Sequence, residues 1–178
     1  PDFSALNLKL ASLYGAALNA SAEKYGDYQL LKMSVSVIND RFALGDDTPV
    51  KNASDLLLKL IFEPNTLYGK FLTEDLNREK LKAIQHIKGE IASKRVYAKK
   101  RLIEEMYCDE AYGLPKCGTA EDVEAITEKS LYDAWENMLK HGFVRIQVVG
   151  SEIPDGLFES ISEKFKTYNR EDITDCKF

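Results

Sequence analysis

Residues 73–107, TEDLNREKLKAIQHIKGEIASKRVYAKKRLIEEMY, decide how the rest of the chain is read. Leu76, Ile84, Ile87, Ile91, Ala98, Leu102 and Met106 recur in steps of mostly three, four or seven, the mark of one buried helix face. Thr73 is a good N-cap, and Glu74 and Asp75 put negative charge in the first turn, where the helix dipole favours it. Lys80, Lys82, Lys88, Lys94, Arg95, Lys99, Lys100 and Arg101 cover the other faces. One straight helix over this span would run about 50 Å. A compact chain of this length has a radius of gyration of about 16 Å and is roughly 40 Å across. The apolar face also lapses at Ser93-Lys94-Arg95, so a bend or break there, giving two consecutive helices, is expected.

Outward from this stretch the pattern alternates between helix and strand. On the N-terminal side, Phe3 to Tyr14 reads as a helix with Phe3, Leu6, Leu10, Leu13 and Tyr14 on one face and Gly15 as its stop. Ala16 to Tyr25 and Tyr28 to Asn39 form an antiparallel hairpin turning at Gly26-Asp27. In its second arm Leu31, Met33, Val35 and Val37 alternate with Lys32, Ser34 and Ser36. Gly45 to Pro49 is a loop by composition. Asn52 then caps a short helix through Phe62 with Leu56, Leu57, Leu60 and Ile61 inward, and Pro64 ends it. Asn65 to Leu72 links to the central helix.

On the C-terminal side, Tyr112-Gly113-Leu114-Pro115-Lys116-Cys117-Gly118 is no helix, because of its Gly and Pro. Thr119 caps a helical turn to Ile126, and Thr127 caps a helix to Leu139 with Leu131, Trp135, Met138 and Leu139 inward. Phe143 to Val149 reads as the clearest strand, central in a sheet. Asp155 to Phe165 makes a last helix, and residues 167–178 a polar tail. The order predicts an α+β fold: a mixed or mostly antiparallel sheet with helices packed on one face, as a single domain over residues 1–166.

Composition narrows the function classes. The 178 residues suffice for one good core; apolar content of 44% and charge of 30% are ordinary for a globular domain. A net charge of −5 argues against nucleic acid as a partner, since phosphate binding needs a positive surplus. The Lys/Arg crowd on the central stretch reads as a solvated helix face. No apolar run is long enough for a membrane span and nothing resembles a signal peptide. The chain opens at Pro1-Asp2, which reads as part of something longer. Cys108, Cys117 and Cys176 lack metal-ligand spacing and are odd in number, which fits a reduced cytoplasmic chain.

Candidate chemistry is sparse. His86 and Glu90, four apart on the central helix, share a face, yet two ligands do not make a zinc site, which takes three or four. On spacing alone they read as a polar pair on an exposed side. His141, just before Gly142, reads as a cap on the last carbonyls of its helix. No G-x-S-x-G, Walker loop, C-x-x-C or H-E-x-x-H occurs.

Three segments taken together carry a resemblance. They are Leu13-Tyr14-Gly15-Ala16-Ala17-Leu18-Asn19-Ala20 before the hairpin, and Leu76-Asn77-Arg78-Glu79-Lys80 entering the central helix. The third runs from Tyr112-Gly113-Leu114-Pro115 through Gly118, Glu121-Asp122-Val123 and Ile126-Thr127 to Val144-Arg145-Ile146-Gln147-Val148-Val149-Gly150. Their order and spacing, from about Phe3 to Phe165, resemble the insulinase / pitrilysin / mitochondrial processing peptidase family of zinc peptidases. The resemblance implies a two-layer α/β domain that pairs with another of its kind into a half-shell around extended peptide. It also implies an upstream H-x-x-E-H whose Glu is the general base on zinc-bound water, and a third ligand, a Glu, on the later helix.

The resemblance carries its own departures. H-x-x-E-H falls before Pro1, so zinc enters only where the parent chain or a partner supplies it. Anchored on Glu79-Lys80, the third-ligand position holds His86; a register anchored on the following Ile places Glu90 there instead. The first register keeps Tyr97-Ala98 in step, and the Leu-Tyr-Gly-Ala segment is similar to that of bacterial, non-catalytic sister proteins. The resemblance therefore implies a non-catalytic partner domain that shapes a peptide chamber. A fragment of an active zinc endopeptidase and a purely structural α+β domain are the alternatives.

Overall fold

A computed structural model describes residues 3–151, 153–168 and 170. Its element order is α1 (Phe3–Ser12), β1 (Ala17–Tyr25), β2 (Tyr28–Ser36), α2 (Pro49–Phe62), β3 (Thr66–Leu67), β4 (Lys70–Phe71), α3 (Thr73–Glu90), α4 (Lys94–Met106), α5 (Ala120–Ala125), α6 (Glu128–His141) and α7 (Leu157–Lys166). The fold is α+β, with two small sheets, β1–β2 and β3–β4. In β3–β4 Thr66 faces Phe71 and Leu67 faces Lys70 across a Tyr68-Gly69 turn. No helix among the described residues is long and apolar enough to cross a membrane.

The chain divides into two compact units. One holds the residues up to Asn19, Met33–Asn65 and those from Asp133; the other holds Ala20–Lys32 and Thr66–Tyr132.

The first unit is built on apolar burial. Leu13, Ala16 and Ala53 are buried, with Leu10, Val35, Val37 and Leu56 packed against them. The chain reaches this core through a left-handed stop after α1: Tyr14 and Gly15 both have positive φ (57° and 73°), and the Ala16 N–H returns to the Leu10 carbonyl at 3.0 Å. That bond reaches six residues back, one more than in a Schellman ending, because two consecutive residues are left-handed, and glycine takes the second such position without strain. The Tyr14 hydroxyl accepts from the Leu44 N–H at 2.9 Å and donates to Asp47 at 2.7 Å, pinning the loop before α2. Helices α2 and α7 pack through Phe62, whose ring meets Phe165 edge-on at 4.9 Å. Trp135 of α6 donates its indole N–H to the Ile61 carbonyl at 3.2 Å, and Lys164 pairs with Glu63 at 2.6 Å. That lysine's hydrogen bond, then its charge, lowers the Glu63 pKa below the usual carboxylate value.

The second unit has few buried side chains, Leu76 and Val123 among them, and α3 packs on α5. The central stretch breaks after Glu90 and restarts at Lys94, as its length and composition predict. Thr119 and Asp122 close a capping box on α5: the Asp122 N–H donates to Thr119 Oγ1 at 3.1 Å and the Thr119 N–H to the Asp122 carboxylate at 2.8 Å. Lys80 of α3 donates to the Glu124 carbonyl at 2.9 Å.

Four expectations need correction. Phe143–Val149 lies in neither sheet, and Val149 is 98% exposed where a central strand would be covered. A strand requires a neighbour to take its backbone, which an apolar run cannot itself provide. The helix expected to start at Asn52 starts at Pro49, because proline's fixed φ suits the first helical position. Thr73 opens the helical turn while Leu72 is the cap residue. The apolar face of α3 does not continue into α4: Leu102 and Met106 are 58% and 62% exposed, and Lys100, Ile103, Glu104 and Tyr107 face inward. The break resets the helical phase, so a stripe read across it points the wrong way. Cys108 and Cys117 are exposed free thiols. Cys176 and most of the expected tail, 169 and 171–178, lie outside the described residues.

Candidate functional site

The second unit contains a cleft of about 530 Å³. One wall is the end of α3, with His86 and Glu90, and another is α4, with Val96, Lys99, Lys100, Ile103 and Glu104. The turn from Tyr112 to Gly118 closes it, together with Lys24 of β1. Two segments singled out in the sequence, the His86–Glu90 pair and the Gly/Pro-rich turn, thus meet at one place. Glu79, the acid that anchors the sequence register, does not line it. Its carboxylate is held by Lys82 at 2.8 Å and by Arg78 at 3.3 Å. The Lys82 hydrogen bond lowers its pKa, partial burial opposing this, and Arg78 adds to the lowering.

The turn is shaped by short-range bonds and by one missing side chain. Tyr107 ends α4, and its carbonyl accepts from the Glu110 N–H at 3.0 Å; Gly113 then donates to the Glu110 carbonyl at 3.0 Å. A Cβ on Gly113 would stand 2.1 Å from the Tyr107 carbonyl oxygen, so no other residue fits without moving backbone. Gly118 has φ of 66°, the left-handed turn that redirects the chain into α5.

Lys24 fastens the turn. Its ammonium donates to the carbonyls of Ala111 and Tyr112 at 2.8 Å each and of Leu114 at 2.5 Å. Gln29, on β2, donates to the Lys116 carbonyl at 3.1 Å. The hairpin tip therefore holds a glycine- and proline-rich loop by its backbone. Nothing in the sequence marks Lys24 as special: one lysine among polar strand residues gives no periodic or motif signal.

The described residues do not assemble a complete zinc site. His86 Nε2 stands 3.8 Å from Glu90 Oε1, beyond a hydrogen bond. The other Glu90 oxygen is taken by the Lys100 ammonium at 2.9 Å, placing a positive charge on the carboxylate that the alternative register would give to the metal. Among the described residues no group of three or more His, Cys, Asp or Glu side chains is placed to hold a metal ion. His141 is exposed at the end of α6, and it is the Arg170 guanidinium that reaches the carbonyls of Leu139 (2.9 Å) and Gly142. The capping role expected of His141 falls to Arg170, which presents more donors in a rigid fork.

No family model matches the chain. Over 171 residues, 96% of its length, it is 28% identical to the "Probable inactive metalloprotease YmfF" of Bacillus subtilis (strain 168). It also superimposes with a TM-score of 0.73 on the crystal structure of a conserved protein from Enterococcus faecalis V583, at 29% identity over 79% of the chain. The chain spans 40% of the first relative's length and 33% of the second's. It is therefore similar, almost from end to end, to part of a metalloprotease-like protein that is named inactive.

Proposed function

We propose that the chain is a non-catalytic metalloprotease-like domain that, with a second insulinase-type domain or subunit, shapes a chamber for extended peptides. The observation that carries this reading is the Glu90–Lys100 pair. On the helix where the resemblance puts the last zinc-holding carboxylate, one candidate position is an imidazole and the other carboxylate is neutralised by an ammonium at 2.9 Å. The similarity to a protein named as an inactive metalloprotease supports the same direction. Such a domain contributes walls, pockets and sheet edge rather than chemistry: a peptide's backbone adds to a strand edge while its side chains enter neighbouring clefts.

The test is the metal content of the full-length protein purified alone, beside its action on a quenched-fluorescence peptide library. We expect substoichiometric zinc, peptide binding and no cleavage. Stoichiometric zinc together with peptide hydrolysis would sink the reading in favour of an active endopeptidase.

A further inference from the structure

Resting on the peptide-binding reading above, we propose that the cleft formed by α3, α4 and the Tyr112–Gly118 turn selects acidic peptide segments carrying an apolar side chain. The lining holds Lys24, Lys99, Lys100 and Lys116 against Glu90 and Glu104. In a chain whose net charge is −5, this is a local reversal of sign.

How those charges are already used decides what is left for a ligand. Glu90 is taken by Lys100 at 2.9 Å, and Glu104 by Arg101 at 2.9 Å. Lys24 spends its protons on three carbonyls, which are dipoles and leave its full charge beside the cleft. Lys99 and Lys116 make no ion pair among the described residues, although both line the cleft. They come from two different elements, α4 and the turn, so a carboxylate entering the cleft meets cations from more than one wall.

The lining also holds apolar side chains: Val96, Ile103, Leu114 and Pro115. Val96 and Leu114 are 49% and 66% exposed, so this surface is available for an apolar side chain to cover. Cations interspersed with apolar side chains in one lining match a segment that alternates carboxylate and aliphatic residues. Nucleic acid fits less well. It needs a continuous basic track with stacking aromatics. Here Tyr112, the one aromatic in the lining, already packs edge-on against Tyr107 at 4.8 Å.

The experiment is fluorescence anisotropy on the full-length protein with labelled alternating peptides: glutamate–leucine, glutamine–leucine and lysine–leucine. The glutamate–leucine peptide is expected to bind about tenfold or more tighter than the lysine–leucine one, and to weaken several-fold between about 50 and 200 mM salt. The double variant K99E/K116E should lose about tenfold of that affinity, K99Q/K116Q less, and L114S several-fold for all three peptides. K51E/K59E, on α2 of the other unit, should leave binding unchanged. Circular dichroism of each variant separates lost binding from lost fold, and the exposed glutamine substitutions keep the test open if charge reversal disturbs folding. Equal affinity for the three peptides, or unchanged affinity in both double variants, overturns the selectivity while leaving peptide binding standing. No binding of any peptide overturns the peptide reading itself. Displacement of bound peptide by an equimolar single-stranded oligonucleotide assigns the cations to nucleic acid and overturns the proposal.

Discussion

The two units differ in what holds each of them. In the first, side chains such as Leu13, Ala53, Phe62, Leu139 and Ile161 are removed from water. In the second, the fixed points are polar: Lys24 on three carbonyls, Lys80 on the Glu124 carbonyl, Lys100 on Glu90, and the Thr119–Asp122 box. Apolar burial is non-directional and yields a tolerant scaffold, whereas a hydrogen bond to a backbone carbonyl fixes one loop in one position. The cleft lies in the second kind of structure, where positioning matters more than bulk.

The sharpest way to break this comparison is Phe62→Ala. The side chain is buried between α2 and α7, so its loss should cost about 3–5 kcal/mol. Urea unfolding followed by circular dichroism would show a lower midpoint at unchanged slope; a loss under about 1 kcal/mol would mean that unit does not depend on packing as described.

Next in size is Lys24→Met, which keeps the aliphatic stem and removes the ammonium. Charge-assisted bonds of this kind are each worth about 1.5–3 kcal/mol at most, and the three carbonyls can turn to water. Amide hydrogen exchange over residues 111–118 should therefore quicken by about tenfold or more, with little change in residues 49–62. Unaltered protection of the turn would refute the role given to Lys24.

The smallest effect is expected at the start of α5. Thr119→Ala should cost about 1 kcal/mol, seen as faster exchange at the first turn of that helix. Its partner makes the effect pH-dependent. The Thr119 backbone N–H, and then its hydroxyl, hold the Asp122 pKa below the usual aspartate value of 3.8. A depressed folded pKa means the contribution is fully present above the unfolded value and disappears as pH falls through the folded one. Protection of α5 should thus drop below about pH 4, and Asp122→Asn should flatten that dependence. A titration of equal slope in both proteins would contradict the capping assignment.

How much of this was legible depended on the range over which each signal acts. Local signals were read correctly: the Gly26-Asp27 hairpin, the stop at Gly15, the cap at Thr119 and the break near Ser93 are all set by residues within a few positions of each other. Signals carried across a break were not. The stripe Ala98, Leu102, Met106 assumed one continuous helix, and the inward face of α4 turned out to be Lys100, Ile103, Glu104 and Tyr107. Phe143–Val149 had the composition of a central strand without any way to name its neighbour.

By itself the sequence determined the α+β alternation of elements, the two-helix central stretch and the His86 and Glu90 positions on its first half. Backbone propensity, caps and turn residues suffice for these. Only the tertiary structure decided that a lysine far away in the chain would hold the Tyr112–Gly118 turn, that Lys100 would claim Glu90, and that Lys99 and Lys116 would face one cleft. Those are meetings between side chains and backbone distant in sequence, and a long lysine stem reaches its partner only once the fold has fixed where that partner stands.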